Sequence, residues 1–111
     1  MIVMAWVLVI VGGLFETVFA VCLKVSDGFS RLWPTVGFVV SVAISMGLLG
    51  LGLRELPVGT AYAVWTGIGA AGTAVVGMLF LDDPATLLRI SAILLIVGGV
   101  VMLNLAGGSA H

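Results

Sequence analysis

The chain has 111 residues, 62% of them apolar and only 8% charged, with a mean hydropathy of +1.38. A soluble domain of this length needs far more polar surface, so the composition specifies an integral membrane protein. Four Lys/Arg against five Asp/Glu leave a net charge of −1, which excludes a basic nucleic-acid face and a polybasic lipid-binding arm.

A hydrocarbon core about 30 Å thick needs about 20 helical residues, and the sequence divides into four such runs. The first is predicted at Val3–Leu23. Met1–Ala5 holds no Lys or Arg and Glu16 interrupts the apolar run, so a cleaved signal peptide is not expected despite the "FAVC" at 19–22. Glu16 is the one acid inside any span. It lies about 12 Å along the helix from Lys24, too deep to snorkel easily to the interface. A charged carboxylate there costs at least about 2.5–3.5 kcal/mol on insertion scales. It must be protonated, sit in a wet cavity or bind a cation, and a site that alternates between proton and cation is a proton-coupled transport site. Gly12 and Gly13 precede it on the same face, and Phe19 and Ala20 follow. The glycines leave space or permit close helix approach. Phe19 fits either a cation-facing wall or simple packing.

The second span is predicted at Leu32–Leu53, after the loop "KVSDGFSR" (24–31). Trp33-Pro34 reads as an interface anchor and helix start. Ser41 and Ser45 share one face; each hydroxyl either bonds back to its own helix or, for Ser45, orients the Glu16 carboxylate.

The third span, Val58–Leu81, follows "RELP" (54–57) and contains "GTAYAVWTGIGAAG" (59–72). Tyr62 and Trp65 lie three apart on one face, and both can donate hydrogen bonds or hold a cation over a ring. An interfacial aromatic belt is the structural alternative. Gly67, Gly69 and Gly72 suit a packing groove or a bend used in gating.

The fourth span, Leu87–Leu105, follows "DDPAT" (82–86), which reads as a loop with Asp or Thr capping the helix and Pro near its first turn. Ser91 and Gly98 lie seven apart, with Gly99 next, a spacing that suits close helix–helix packing in lipid. The first three helices are therefore expected to make the site and the fourth to dimerise. The loops are short, so neighbouring helices run antiparallel in one four-helix domain spanning 1–111. The runs are too long and too uniform for β-barrel strands. Lys24, Arg31 and Arg89 on one side against Arg54 and the terminal amine on the other give the positive-inside rule little grip, so both membrane orientations are allowed. The single cysteine, Cys22, excludes an internal disulfide and a cysteine metal cluster. The only histidine is His111, so no nucleophile–base set exists and no enzyme activity, metal or cofactor is expected.

Together these stretches resemble the small multidrug resistance family of four-helix exporters over nearly the whole chain. "FETVFAVCLKVSDGFSRLWPT" resembles the family's first span and loop, and "LPVGTAYAVWTGIGA" its third-span signature. The "WTGIGA" ending, and Ser45 in "ISMGLL", are similar to the guanidinium-exporter branch rather than the polyaromatic-drug branch. One position departs: Phe19 stands where that branch is expected to carry Trp. The resemblance implies an antiparallel, dual-topology homodimer in a prokaryotic inner membrane. In it two Glu16 side chains share one central site for which protons and a small cation compete. By position it implies that Ser45 and Trp65 hydrogen-bond and orient Glu16, that Tyr62 helps couple or gate, and that Gly12 and Phe19 shape the pocket.

The implied function is proton-coupled export of guanidinium and related guanidinyl compounds. Export of quaternary ammonium or broader drug cations on the same scaffold is the alternative. A passive channel and a non-transporting assembly subunit are readings of other classes.

Overall fold

The computed structural model describes residues 2–106; Met1 and His111 lie outside them. Four helices follow in chain order: α1 (Ile2–Val25), α2 (Leu32–Gly52), α3 (Val58–Phe80) and α4 (Leu87–Leu105). Each is long and apolar enough to cross a membrane. In hydrocarbon every backbone N–H and C=O must be bonded internally, and apolar runs of this length meet that demand as helices. The turns are built by the residues that interrupt those runs. Ser26, fully buried, donates its hydroxyl to Leu23 O (2.7 Å) and accepts the Phe29 N–H (3.1 Å). Those bonds fasten a turn in which Asp27, Gly28 and Phe29 all take left-handed φ values of 50°, 70° and 66°. At the third turn Asp82 has φ 61°, and Thr86 caps α4 by accepting the Arg89 N–H at 3.2 Å. Threonine is therefore the cap, and Pro84 precedes the helix rather than entering its first turn.

The helices do not pack as an even bundle. α1 is the centre: it packs extensively on α2 and on α3, whereas α2 and α3 scarcely meet. α4 leans on α3 alone among its principal contacts, and none of its residues is buried. The result is a slab only 16 Å thick against 44 and 34 Å in the other directions. Lipid supplies little hydrophobic drive between helices, so close van der Waals approach through small residues has to hold them. Gly52 of α2 takes the Val9 side chain against its bare Cα, with the Ala5 carbonyl 3.2 Å from where a Cβ would lie. Gly13 of α1 meets Ile68 of α3 in the same way, at 2.9 Å. Between these crossings lies a small core of Ala5, Val9, Leu49, Leu56, Ala61, Val64 and Trp65. Gly67 packs toward Val100 and Ile96 of α4, so it serves a packing groove. Gly98 and Gly99 face open space, and Ser91 and Gly98 are exposed.

Gly52→Ala is expected to destabilise the fold by about 1–3 kcal/mol through overpacking against Val9. Gly47→Ala, where a Cβ would meet nothing within 4 Å, is expected to be neutral or slightly stabilising. Denaturant titration of the protein in detergent micelles, followed by circular dichroism, compares the two.

Candidate functional site

Glu16 lies just past the middle of α1, on the side that meets α3. Its seat is made by an absence. A Cβ on Gly69 would fall 2.7 Å from Glu16 Cβ and overlap the carboxylate, so only glycine at 69 admits this side chain. The next turn repeats the device, with Gly72 facing the hydroxyl of Thr17. Two hydroxyls converge on the Gly69 carbonyl, Thr17 Oγ1 at 3.2 Å and Thr73 Oγ1 at 2.6 Å. They pin the α1–α3 crossing beside Glu16.

The carboxylate itself has an unused hydrogen-bond acceptor. Glu16 Oε1 is buried and has no hydrogen-bond partner. An unpaired buried polar atom of this kind costs of order 1–3 kcal/mol, more when charged. Glu16 also lines a cavity of about 510 Å³ between α1, α3 and α4. Its walls are small or apolar (Ala20, Ala70, Ala74, Ala92, Ile93) and its polar lining is Thr73, Asp83 and Arg89. A carboxylate with an unused acceptor on a cavity wall is suited to bind a donor-rich cation or a proton.

The other expected site residues form a second cluster one turn away. Trp65 Nε1 donates to Ser45 Oγ at 2.9 Å, and Ser45 Oγ donates to the Gly12 carbonyl at 2.6 Å. This chain of bonds ties α3 through α2 to α1. Ser45 is fully buried and Trp65 nearly so. In this protomer Ser45 and Trp65 therefore bond each other and the α1 backbone, not the Glu16 carboxylate that the resemblance assigns them. The physical reason is reach: the Gly12 carbonyl lies 2.6 Å from the serine hydroxyl, with no side chain on Gly12 to hold the helices apart. Gly12 shapes this cluster by close approach, with Ser45 O, Leu48 and Trp65 all 3.2–3.3 Å from its Cβ position. Ser41, by contrast, bonds back to Gly37 and Phe38 of its own helix.

Tyr62 is 55% exposed and its ring lies 5.5 Å from that of Trp65, tilted by 47°; it does not reach Glu16. Phe19 turns away from the cavity. Its ring meets Phe38 edge-on at 5.8 Å, and Phe38 in turn meets Phe29 of the first turn at 5.5 Å. Of the expected site residues, Glu16 alone lines the large cavity. The structure adds Thr17, Thr73, Asp83 and Arg89 to the surroundings of Glu16. Thr17 and Thr73 carry a legible signal, hydroxyls flanking the two glycines of one helix crossing. Asp83 and Arg89 carry none, because only folding brings the third turn and the start of α4 beside Glu16.

The family model described as Small Multidrug Resistance protein matches residues 4–96. A guanidinium exporter of Yersinia pseudotuberculosis serotype I (strain IP32953) is 48% identical over 103 residues, covering 93% of this chain and 99% of that one. The guanidinium exporter of Escherichia coli (strain K12) is also 48% identical, with 93% and 98% covered. The guanidinium exporter of Salmonella typhimurium (strain LT2) is 47% identical over 108 residues, covering 97% of this chain and all of its own. Each of these relatives is named as a guanidinium exporter.

Ser45→Ala is expected to cost about 1–3 kcal/mol, since it leaves the buried Trp65 N–H without its acceptor. Combined with Trp65→Phe, the loss is expected to fall short of additivity by at least about 0.5 kcal/mol. A double-mutant cycle by unfolding in micelles measures the coupling.

Proposed function

The chain belongs to the small multidrug resistance family, and from that premise we propose that it exports guanidinium and related guanidinyl cations in exchange for protons, with Glu16 as the shared binding group. Its four apolar spans make it a multi-pass protein of the inner membrane. The observation that carries the reading is Glu16 itself, an acid within a membrane span that lines an open cavity and whose Oε1 is buried without a hydrogen-bond partner. The naming of relatives 47–48% identical over nearly the whole chain as guanidinium exporters supports it.

The chemistry of exchange follows from the cost of the site. A carboxylate in apolar surroundings is expensive to leave charged and empty, so it holds either a proton or a cation. Guanidinium is planar and presents forked N–H donors that match a carboxylate's two oxygens. Its arrival releases the proton, and a proton's arrival releases it. If only the occupied forms change sides, a proton gradient drives the cation out. One protomer is a thin slab that cannot enclose a site from both sides. We therefore place two chains in an antiparallel homodimer, with both Glu16 side chains facing one central site and titrating as a coupled pair. The exposed face of α4, with its open Ser91 and Gly98, is the proposed pairing surface. Near-balanced loop charges permit the two opposite insertions that such a pair needs. The Trp65–Ser45–Gly12 chain holds the helices in register around the site, and Tyr62, exposed beside it, is placed to meet the second protomer.

In proteoliposomes, an imposed pH gradient is expected to drive guanidinium uphill. Glu16→Gln is expected to reduce that flux to background, because an amide can neither release a proton nor neutralise a cation. Guanidinium flux indifferent to Glu16→Gln overturns the reading. Transport of bulky quaternary ammonium without guanidinium moves the chain to the drug-exporting alternative. Solid-supported membrane electrophysiology reads both.

A further inference from the structure

The cavity that begins at Glu16 ends at two charged residues, Asp83 of the third turn and Arg89 of α4. A smaller adjoining cavity, of about 220 Å³, shares Ala20, Thr73 and Asp83 with it and ends at Lys24. Asp83 is thus the one charged residue common to both, standing between the Glu16 chamber and the membrane surface. Its position is built, not incidental. Asp82 takes φ 61° and turns the chain back on itself. The Asp83 N–H then bonds to Gly77 O at 3.0 Å, and the side chain lies across the bare Cα of Gly77. A Cβ at 77 would overlap that carboxylate, with Asp83 Cγ 3.0 Å away. Gly77 therefore seats Asp83 as Gly69 seats Glu16.

The surrounding charges give this seat a purpose. Arg89 sits in the first turn of α4, where the helix dipole disfavours a cation, and Lys24 sits at the end of α1. A cation approaching Glu16 from this side passes both. Two positive groups without a carboxylate between them would oppose its entry. Among the described residues no ion pair ties Asp83 to either of them, so its oxygens are open to an arriving donor.

We propose that Asp83 is a substrate-contacting specificity residue, the outer carboxylate of a two-station path on which a guanidinium cation meets Asp83 before Glu16. This rests on the guanidinium-exchange reading above. The forked donors of the cation suit a carboxylate at each station, and the small cavity walls between them pass a planar ion.

The test is the concentration dependence of guanidinium-evoked current in proteoliposomes, at low ionic strength, for wild type and four variants. Asp83→Asn is expected to raise KM about threefold to tenfold with the maximal current kept. Asp83→Glu restores KM to within about twofold of wild type. Gly77→Ala, which displaces Asp83 without changing charge, raises KM as Asp83→Asn does. Asp82→Asn removes the same charge next door, outside both cavities, and leaves KM unchanged. An unchanged KM in Asp83→Asn overturns the proposal. So does an equal shift in Asp82→Asn, which would reduce the effect to general surface charge, and so does a loss of maximal current with KM unaltered. These failures are distinct from failure of the exchange reading itself, in which wild type carries no guanidinium current at all.

Discussion

A carboxylate buried in a membrane-spanning helix has to be given a proton, a cation or water, and much of this small chain is arranged around that demand. Glu16 could not fit between α1 and α3 if residue 69 carried a side chain. The two threonines that bond to the Gly69 carbonyl fix the crossing at that point. The Trp65–Ser45–Gly12 chain ties the same helix to α2 and α3 one turn away. Both sets of bonds engage backbone carbonyls or each other and leave Glu16 Oε1 without a partner. A permanent hydrogen-bond donor at that oxygen would stabilise the empty site and weaken its hold on any cargo. In the proposed exchange, that unsatisfied acceptor is what proton and cation compete for.

The same demand explains why the packing is lopsided. Enclosing an exchangeable ion takes walls on several sides, and a slab 16 Å thick supplies few of them. Here α1 is held by α2 and α3, while α4 stays unburied along its whole length. A stable membrane helix needs no burial from water, because lipid satisfies its apolar face. α4 is therefore free to present that face to a second copy, as the proposed antiparallel pair requires.

The four helices were legible because each apolar run and its charged separator is a local property of the chain. Expected and observed bounds differ by at most two residues, and α4 coincides at Leu87–Leu105. Glu16 was legible for the same reason: an acid within an apolar run is conspicuous without any knowledge of packing. The partners of Ser45 and Trp65 were not. Spacing put both near the first span but could not say whether they would meet the carboxylate or the Gly12 carbonyl, a choice decided by which acceptor lies within 3 Å. Asp83 shows the limit most plainly. Read in sequence, "DDPAT" is a turn and a cap, and Thr86 is indeed the cap. That Asp83 also shares a cavity with Glu16 depends on a left-handed Asp82 and a bare Gly77. Neither connects residues 16 and 83 in the sequence.

Phe19 bears on substrate choice in a way its spacing did not settle. It follows Glu16 by one turn, which allows either a wall for the cation or a packing ring. In the protomer it stacks edge-on against Phe38, which stacks on Phe29. Phe29 itself is held at φ 66° by the buried Ser26. The aromatic run thus links the strained first turn to the helix that bears Glu16, while the cavity beside the acid is walled by alanines and isoleucines. Small walls favour a small planar cation, and no aromatic ring is offered there to a polyaromatic one. Under the proposed function, the room left beside Glu16 is the feature of this protomer that bears on cation size, and Phe19 packs outside it. A larger ring at 19 would first disturb the contact with Phe38, and through it the turn that joins α1 to α2.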